Sequence, residues 1–335
     1  MVKSTCLVAA VLSGLLAMPA LAQDAPVLTI YTYDGFAAEW GPGPALKSGF
    51  EAICDGCTVE WVAADSSIGT LRRVQLEGDT TQADLIVGLD TAIAGEARAT
   101  GLFADHGLDL ANLSLPEPWT DGQFVPFDYA HFAFVYDTDT VAVPPASFEE
   151  LIALPADFKI AIQDPRSATP GLGLVLWIHA AYGDRAPEIW AGLKPHILTI
   201  TREWSESYNL FLTGEADMAL SYTTSPAYHI ISEGDDTIQA ALFDEGHLAQ
   251  TEVAGILKSS PHQDLARQFL AYLSSADGQK LIPTTNWMMP VTPLGEALDP
   301  VFAALPQPAR TLTLSDDDIA AGAKDWIDAM LTAVQ

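Results

Sequence analysis

Along this chain the apolar positions switch repeatedly between a period of two and a period near 3.6, which marks alternating strands and helices. Val27 to Tyr33 (VLTIYTY) alternates with β-branched content and predicts a strand, and the turn Gly41-Pro42-Gly43-Pro44 then opens a helix over 45–52. Thr58 to Ala63 predicts the next strand. It is followed by Asp65-Ser66-Ser67, an acid and two hydroxyls suited to opening a helix over 68–76. Asp84 to Gly88 predicts a short buried strand, with another helix after Leu89-Asp90. A β-α-β-α-β order implies a parallel sheet.

The richest β-like run, Phe124 to Asp137 (FVPFDYAHFAFVYD), is long enough to predict one strand crossing between two lobes, and Leu248 to Ile256 predicts a second. Between them come a Ser147-capped helix over 148–153, a strand over 159–162, and a loop from Asp164 feeding a helix over 174–182. Trp204 to His229 (WSESYNLFLTGEADMALSYTTSPAYH) predicts a helix over 205–213 with Ser205 or Ser207 as cap, a strand over 218–222, and a helix opening at Ser225-Pro226. The helix over 262–274 returns to the first lobe, Pro283 to Pro290 (PTTNWMMP) is an irregular loop, and 324–334 closes the chain as an amphipathic helix. The expected class is α/β with two lobes, lobe I over 27–124 and 257–335 and lobe II over 125–256, the two crossing strands acting as hinge.

Residues 1–22 carry Lys3, an apolar run from Cys6 to Ala17 and the small-residue pattern Ala20-Leu21-Ala22, which together predict a secretory signal cleaved near Gln23. Ser13 and Pro19 interrupt the run, so it reads as an export signal rather than a membrane anchor, and no insertion into a membrane is expected. The full chain carries a net charge of −29. Losing one lysine and no acid with the signal makes it more negative still, which argues against a nucleic-acid partner. The acids are spread along the whole chain, so a saline habitat accounts for them as well as attraction of a cation does.

Cys54 and Cys57 (CDGC) are the cysteines left after cleavage, and an oxidising compartment predicts a local disulfide between them. A redox role wants such a pair at a helix N-terminus, and here it follows a helix. The seven histidines show no metal-ligand spacing, and no nucleophile elbow, H-E-x-x-H or P-loop is present, so neither metal nor catalytic chemistry is expected. Ser315-Asp316-Asp317-Asp318 reads as a helix cap and acidic first turn.

Candidate chemistry gathers instead at element ends, where open α/β sheets bind ligands. Trp204, Tyr222 and Tyr228 place aromatic rings there; each alone serves as well to plug the core, but the three together favour a flat or cationic ligand, and Tyr33 and Trp287, with Asn286 beside the latter, are further candidates. Asp65 either caps its helix or accepts from a ligand amine, with Ser66 beside it. Ser167, Ala168, Thr169 and Gly171 form a small-residue loop before a helix, suited to an anion or simply to capping.

The segments YTYDGFAAEWGPGP, FVPFDYAHFAFVYD, QDPRSATPGLGL, WSESYNLFLTGEADMALSYTTSPAYHI and IPTTNWMMPV together resemble the thiamine-binding periplasmic proteins of bacterial ABC importers, over nearly the whole mature chain. The resemblance implies the type II periplasmic-binding-protein fold, closing by hinge motion on thiamine or its mono- and pyrophosphate. It implies a monomeric periplasmic carrier without cofactor, and as partners an ABC permease and its ATPase. It puts Tyr33, Asp65, Trp204, Tyr222, Tyr228 and Trp287 around the ligand, Asp65 accepting from the pyrimidine amine, and the Ser167–Gly171 loop at the hydroxyethyl or phosphate end. Two positions depart from the pattern: Ser66 stands where related sequences carry glycine, and Ala168 where they carry a hydroxyl, leaving Ser167 and Thr169 to hold a phosphate. Rival ligands are ferric iron, which in this fold is held by adjacent tyrosines, and a polyamine, which wants clustered acids where Asp34 and Asp65 are the evident ones. A thiamine-degrading transferase would need a free cysteine.

Overall fold

The computed structural model describes residues 25–334 and Met1, so the expected signal peptide lies, Met1 apart, outside the described residues. Among these, eleven strands are β1 Val27–Tyr33, β2 Thr58–Ala64, β3 Leu85–Asp90, β4 Phe124–Asp137, β5 Ile160–Gln163, β6 Ile197–Thr201, β7 Met218–Tyr222, β8 Ile238–Ala240, β9 His247–Ile256, β10 Met289–Pro290 and β11 Thr311–Leu312. They line up as β2-β1-β3-β9-β4-β7-β5-β6, with β10 and β8 added to β4 and β11 to β9. β2, β1 and β3 are parallel, as are β7, β5 and β6; β9 and β4 join the two wings in antiparallel register. Two parallel α/β lobes therefore meet at a pair of crossing strands.

The crossing is visible in the register. β4 pairs with β9 from Phe124↔Gly255 to His131↔Ala249 and then with β7 from Phe132↔Tyr222 onward. β9 lies between β3 and β4, pairing with β3 over Glu252–Ile256 while it still pairs with β4 as far as Gly255. Each parallel wing is covered by helices, which is why β3 (LIVGLD) is buried at every position and reads as an apolar run up to Asp90. In lobe I, Leu28, Ile30, Leu46, Phe50 and Val59 pack with Phe269 and Leu270 of the helix Gln263–Leu273. In lobe II, Phe134, Phe148, Trp177, Trp190 and Leu220 share a second core, which continues through the hinge to Ile86 and Phe124.

Three sequence expectations change. The chain after about residue 295 does not belong to lobe I alone: Phe302 and Leu305 pack with Ala227, β11 extends β9 at His247 and Leu248, and the helix Asp316–Val334 lies on the helices Thr169–Tyr182 and Ala186–Leu193 of lobe II as well as Thr91–Ala99 of lobe I. An amphipathic terminal helix goes to whichever apolar surface is open, and that surface is built by both lobes. The helix after β5 begins at Thr169 rather than Leu174, so Gly171 and Gly173 are helical. A Cβ on Gly171 would sit 2.4 Å from the Gln163 carbonyl oxygen and one on Gly173 would sit 2.2 Å from the Phe132 ring, so these glycines serve close packing. The helix Trp204–Leu212 starts one residue early, with Glu203 as its cap and no capping side chain. Cys54 and Cys57 form a disulfide at the N-terminal edge of β2, away from the strand ends that carry the site.

Candidate functional site

The C-terminal ends of β1, β2, β3, β5, β6 and β7 converge at the crossing, so the residues just after them face one cleft. Tyr33, the last residue of β1, is half-buried. Its hydroxyl donates to Glu252 Oε2 at 2.9 Å and lies 3.2 Å from Asn286 Oδ1. Space for its ring comes from Gly88, at φ +92, where a Cβ would stand 2.5 Å from the ring. Tyr222, the last residue of β7, stacks on Phe132 at 5.4 Å and donates to Gln250 Oε1 at 3.1 Å. Gln250 in turn reaches Glu252 at 3.3 Å. Burial raises both phenols well above their usual range, so both remain proton donors at any physiological pH.

Trp204 lies against Tyr208 with centroids 4.6 Å apart and donates its indole N–H to Ser221 Oγ at 3.0 Å. Tyr208 is fixed by His229 at 2.9 Å, and His229 by Glu233 at 2.7 Å. Tyr228 and Trp287 meet edge to face at 5.2 Å, tying the start of the Pro226 helix to the loop before β10. Trp287 has φ +56, a left-handed conformation that is strained for a bulky side chain and concentrates at functional sites. Asn286 beside it donates to Asp128 Oδ2 at 2.6 Å. Tyr33, Tyr222 and Asn286 thus converge on one hydrogen-bond network, with Trp204 reaching it through Ser221 and Ser225.

Other expected site residues sit differently. Asp65 is exposed and ion-paired with Arg202, closing the cleft mouth from lobe to lobe, so its carboxylate is engaged by an arginine rather than held open for an amine. Ser66 caps the helix Ser67–Glu77 by accepting from Gly69 N at 3.0 Å. Ser167 donates to the Arg202 carbonyl at 2.8 Å, and Thr169 donates across the lobes to Asp90 Oδ2 at 3.0 Å. A hydroxyl has one proton to give, so neither retains a donor for a phosphate. Ala168 is buried, Gly171 is packed on β5, and Asp164 neutralises Arg166.

The sequence reading missed the three acids at the crossing. Asp90, Asp128 and Glu252 are 1 %, 0 % and 7 % exposed. Their signal was a single acid inside an otherwise apolar strand, as in VPFDYAHF and AQTEVAG. Burial lifts Asp90 to about 6 and Asp128 to about 8, and burial together with the Asp128 charge holds Glu252 well above the carboxylate range. At the mouth, desolvation raises Glu203 to about 7 against the opposing charge of Arg202, with Asp34 and Asp65 adding to the rise. Tyrosine rings whose hydroxyls lead to buried carboxyls suit a flat cation. Among the described residues, no three His, Cys, Asp or Glu groups are disposed to hold a metal ion.

A two-lobed α/β protein with its site between the lobes at a two-strand crossing is a solute-binding protein, and residues 28–280 match the family described as bacterial extracellular solute-binding protein. The "Thiamine-binding periplasmic protein" of Escherichia coli K12 is 46 % identical over 309 residues, 92 % of this chain and 94 % of its own. That of Brucella abortus is 45 % identical over 93 % of both. A solved "Periplasmic thiamin binding protein" superposes with a TM-score of 0.89 at 45 % identity, covering 93 % of this chain and 97 % of that one. Iron-bound HitA from Pseudomonas aeruginosa, 20 % identical with a TM-score of 0.74 over 92 % of this chain and all of its own, shares the type II periplasmic-binding fold alone. This chain belongs to the family of thiamine-binding periplasmic proteins.

Proposed function

We propose that the protein captures thiamine in the periplasm and delivers it to an ABC importer, enclosing it between the lobes by hinge closure. The observation that carries this is that relatives named for thiamine binding match at about 45 % over more than nine-tenths of both chains, while the cleft joins aromatic rings to buried carboxylates. Thiazolium is a permanent cation, and a ring face gains roughly 0.5–2 kcal/mol from one, depending on desolvation. The aromatic set Tyr33, Trp204, Tyr222, Tyr228 and Trp287 takes the ligand, with Asp65 released from Arg202 to meet the pyrimidine amine. The protein acts as a monomeric binding protein, not an enzyme, and needs no cofactor. It is exported by the signal over residues 1–22, and an ABC permease and its ATPase receive the ligand.

Because the Ser167 and Thr169 protons are committed within the protein and Ala168 offers none, thiamine binds more tightly than its phosphates. The test is calorimetric titration of refolded, ligand-free protein with thiamine, thiamine monophosphate and pyrophosphate, with spermidine and ferric citrate as controls. Submicromolar thiamine binding is the expected result. Tight spermidine binding in its place would give the buried acids to a polyamine, and heat from ferric citrate alone would return the protein to the iron-binding branch of the fold.

A further inference from the structure

We infer that Asp90, Glu252 and Asp128 form a charge-reading floor beneath the cleft, which selects a permanently cationic ring over a neutral ring of the same shape and releases a proton to solvent when the cation binds. The inference rests on the thiamine reading and deepens it. Glu252 of β9 stands in register with Asp90 of β3 on one side and Asp128 of β4 on the other, so three carboxyls occupy one row across three adjacent strands.

Two bulges build that row. The β3–β9 register slips at Gly88 and the β4–β9 register slips at Phe127. Without the slips Leu89 and Phe127 would stand opposite Glu252, since a one-residue change of register exchanges the faces of a strand. Each bulge therefore brings an acid where an apolar residue would otherwise lie, and like charges placed directly opposite destabilise a sheet. Such an arrangement persists where something else compensates it.

Asp90 caps the helix Thr91–Ala99 by accepting from Ala92 N at 2.7 Å, but among the described residues no cationic side chain faces Glu252 or Asp128. Asn286 and Tyr33 supply neutral donors, and Asp128 Oδ1 is buried with no hydrogen-bond partner. The titratable groups facing Glu252 are Tyr33 from β1, Asp90 from β3, Asp128 from β4 and Tyr222 from β7, all acidic. Burial raises both carboxyls, and Asp128 and Asp90 raise Glu252 further, so the empty cleft holds protons there near neutral pH. A cation stacked on Tyr33 favours the ionised form of the acids joined to that ring's hydroxyl, and the proton leaves to buffer. The phenol that donates to Glu252 then carries more electron density toward the ligand face, and Tyr222 is joined to the same carboxyl through Gln250.

The experiment is calorimetry at pH 7 in two buffers of different ionisation enthalpy. Its ligands are thiamine and a neutral analogue with carbon in place of the thiazolium nitrogen, and its proteins are wild type, Glu252→Gln and Asp128→Asn. Wild type should release protons with thiamine only and prefer it by roughly tenfold or more. The variants should lose most of that preference while holding the neutral analogue within about twofold. A buffer-independent heat for wild-type thiamine binding overturns the inference even if neither variant folds. Equal losses for both ligands also overturn it, since they would make the acids a packing feature. Absence of any wild-type thiamine binding overturns the functional reading, and this inference with it.

Discussion

Trp204→Ala removes a ring that the fold holds in place on two sides. The indole N–H loses Ser221 Oγ, but that hydroxyl keeps Ser225 at 2.7 Å, so no buried polar atom is orphaned. Tyr208 loses one face and keeps its bond to His229. The void opens to the cleft and fills with water, so the stability cost stays below the roughly 3–5 kcal/mol of a sealed tryptophan cavity. The affinity cost has two parts. The cation over the ring face is worth about 0.5–2 kcal/mol, and the aromatic stacking geometry about 0.5–1.5 kcal/mol. Together, roughly 1–3.5 kcal/mol corresponds to a dissociation constant about 5- to 400-fold higher. Thiamine titration by calorimetry reads the affinity, and thermal melting of the ligand-free variant reads the fold. An affinity within about twofold of wild type, in a protein that melts normally, refutes the placing of Trp204 against the ligand.

Asp128 holds its proton to about pH 8 when folded, against an ordinary value near 3.8, so ligand-free stability is lost as pH rises between about 4 and 8. Asp128→Asn should therefore raise the melting temperature more at pH 8 than at pH 5, and an equal shift at both would show that the carboxyl does not titrate in that window. His131 and His247 act in the other direction: burial depresses both to about 4, and their contribution is complete above about 6.5 and disappears as pH falls toward 4. Melting scans over that interval should show the acid-side loss. Replacing Cys54 and Cys57 together by alanine opens a very short loop and should cost about 2 kcal/mol of stability in urea unfolding, with thiamine affinity unchanged. Gly173→Ala should cost about 1–3 kcal/mol by driving a methyl into Phe132, and unchanged urea stability would contradict that packing.

Much of the fold was legible because it rests on local rules. The period-two run at β1, the fourteen-residue β4 and the β-α-β order of the first lobe all came from side-chain alternation and turn chemistry. The aromatic residues at strand ends were visible for the same reason, since a strand end is a local property. Less legible were the helix start at Thr169, hidden by glycines that look like a loop, and the course of the last forty residues. Both depend on what lies alongside: the Gln163 carbonyl and Phe132 ring in one case, a shared helical surface in the other.

By itself the sequence determined two parallel lobes, two crossing strands, a CDGC pair suited to bridging and an aromatic set suited to a cation. Tertiary structure alone decided that Asp65 pairs with Arg202, that the Ser167 and Thr169 hydroxyls are spent internally, and that Asp90, Glu252 and Asp128 share one row. The reason is register. Asp128 and Glu252, 124 positions apart along the chain, and Asp90 and Glu252, 162 apart, become neighbours only when strands pair, and two single-residue bulges set which side chains face each other.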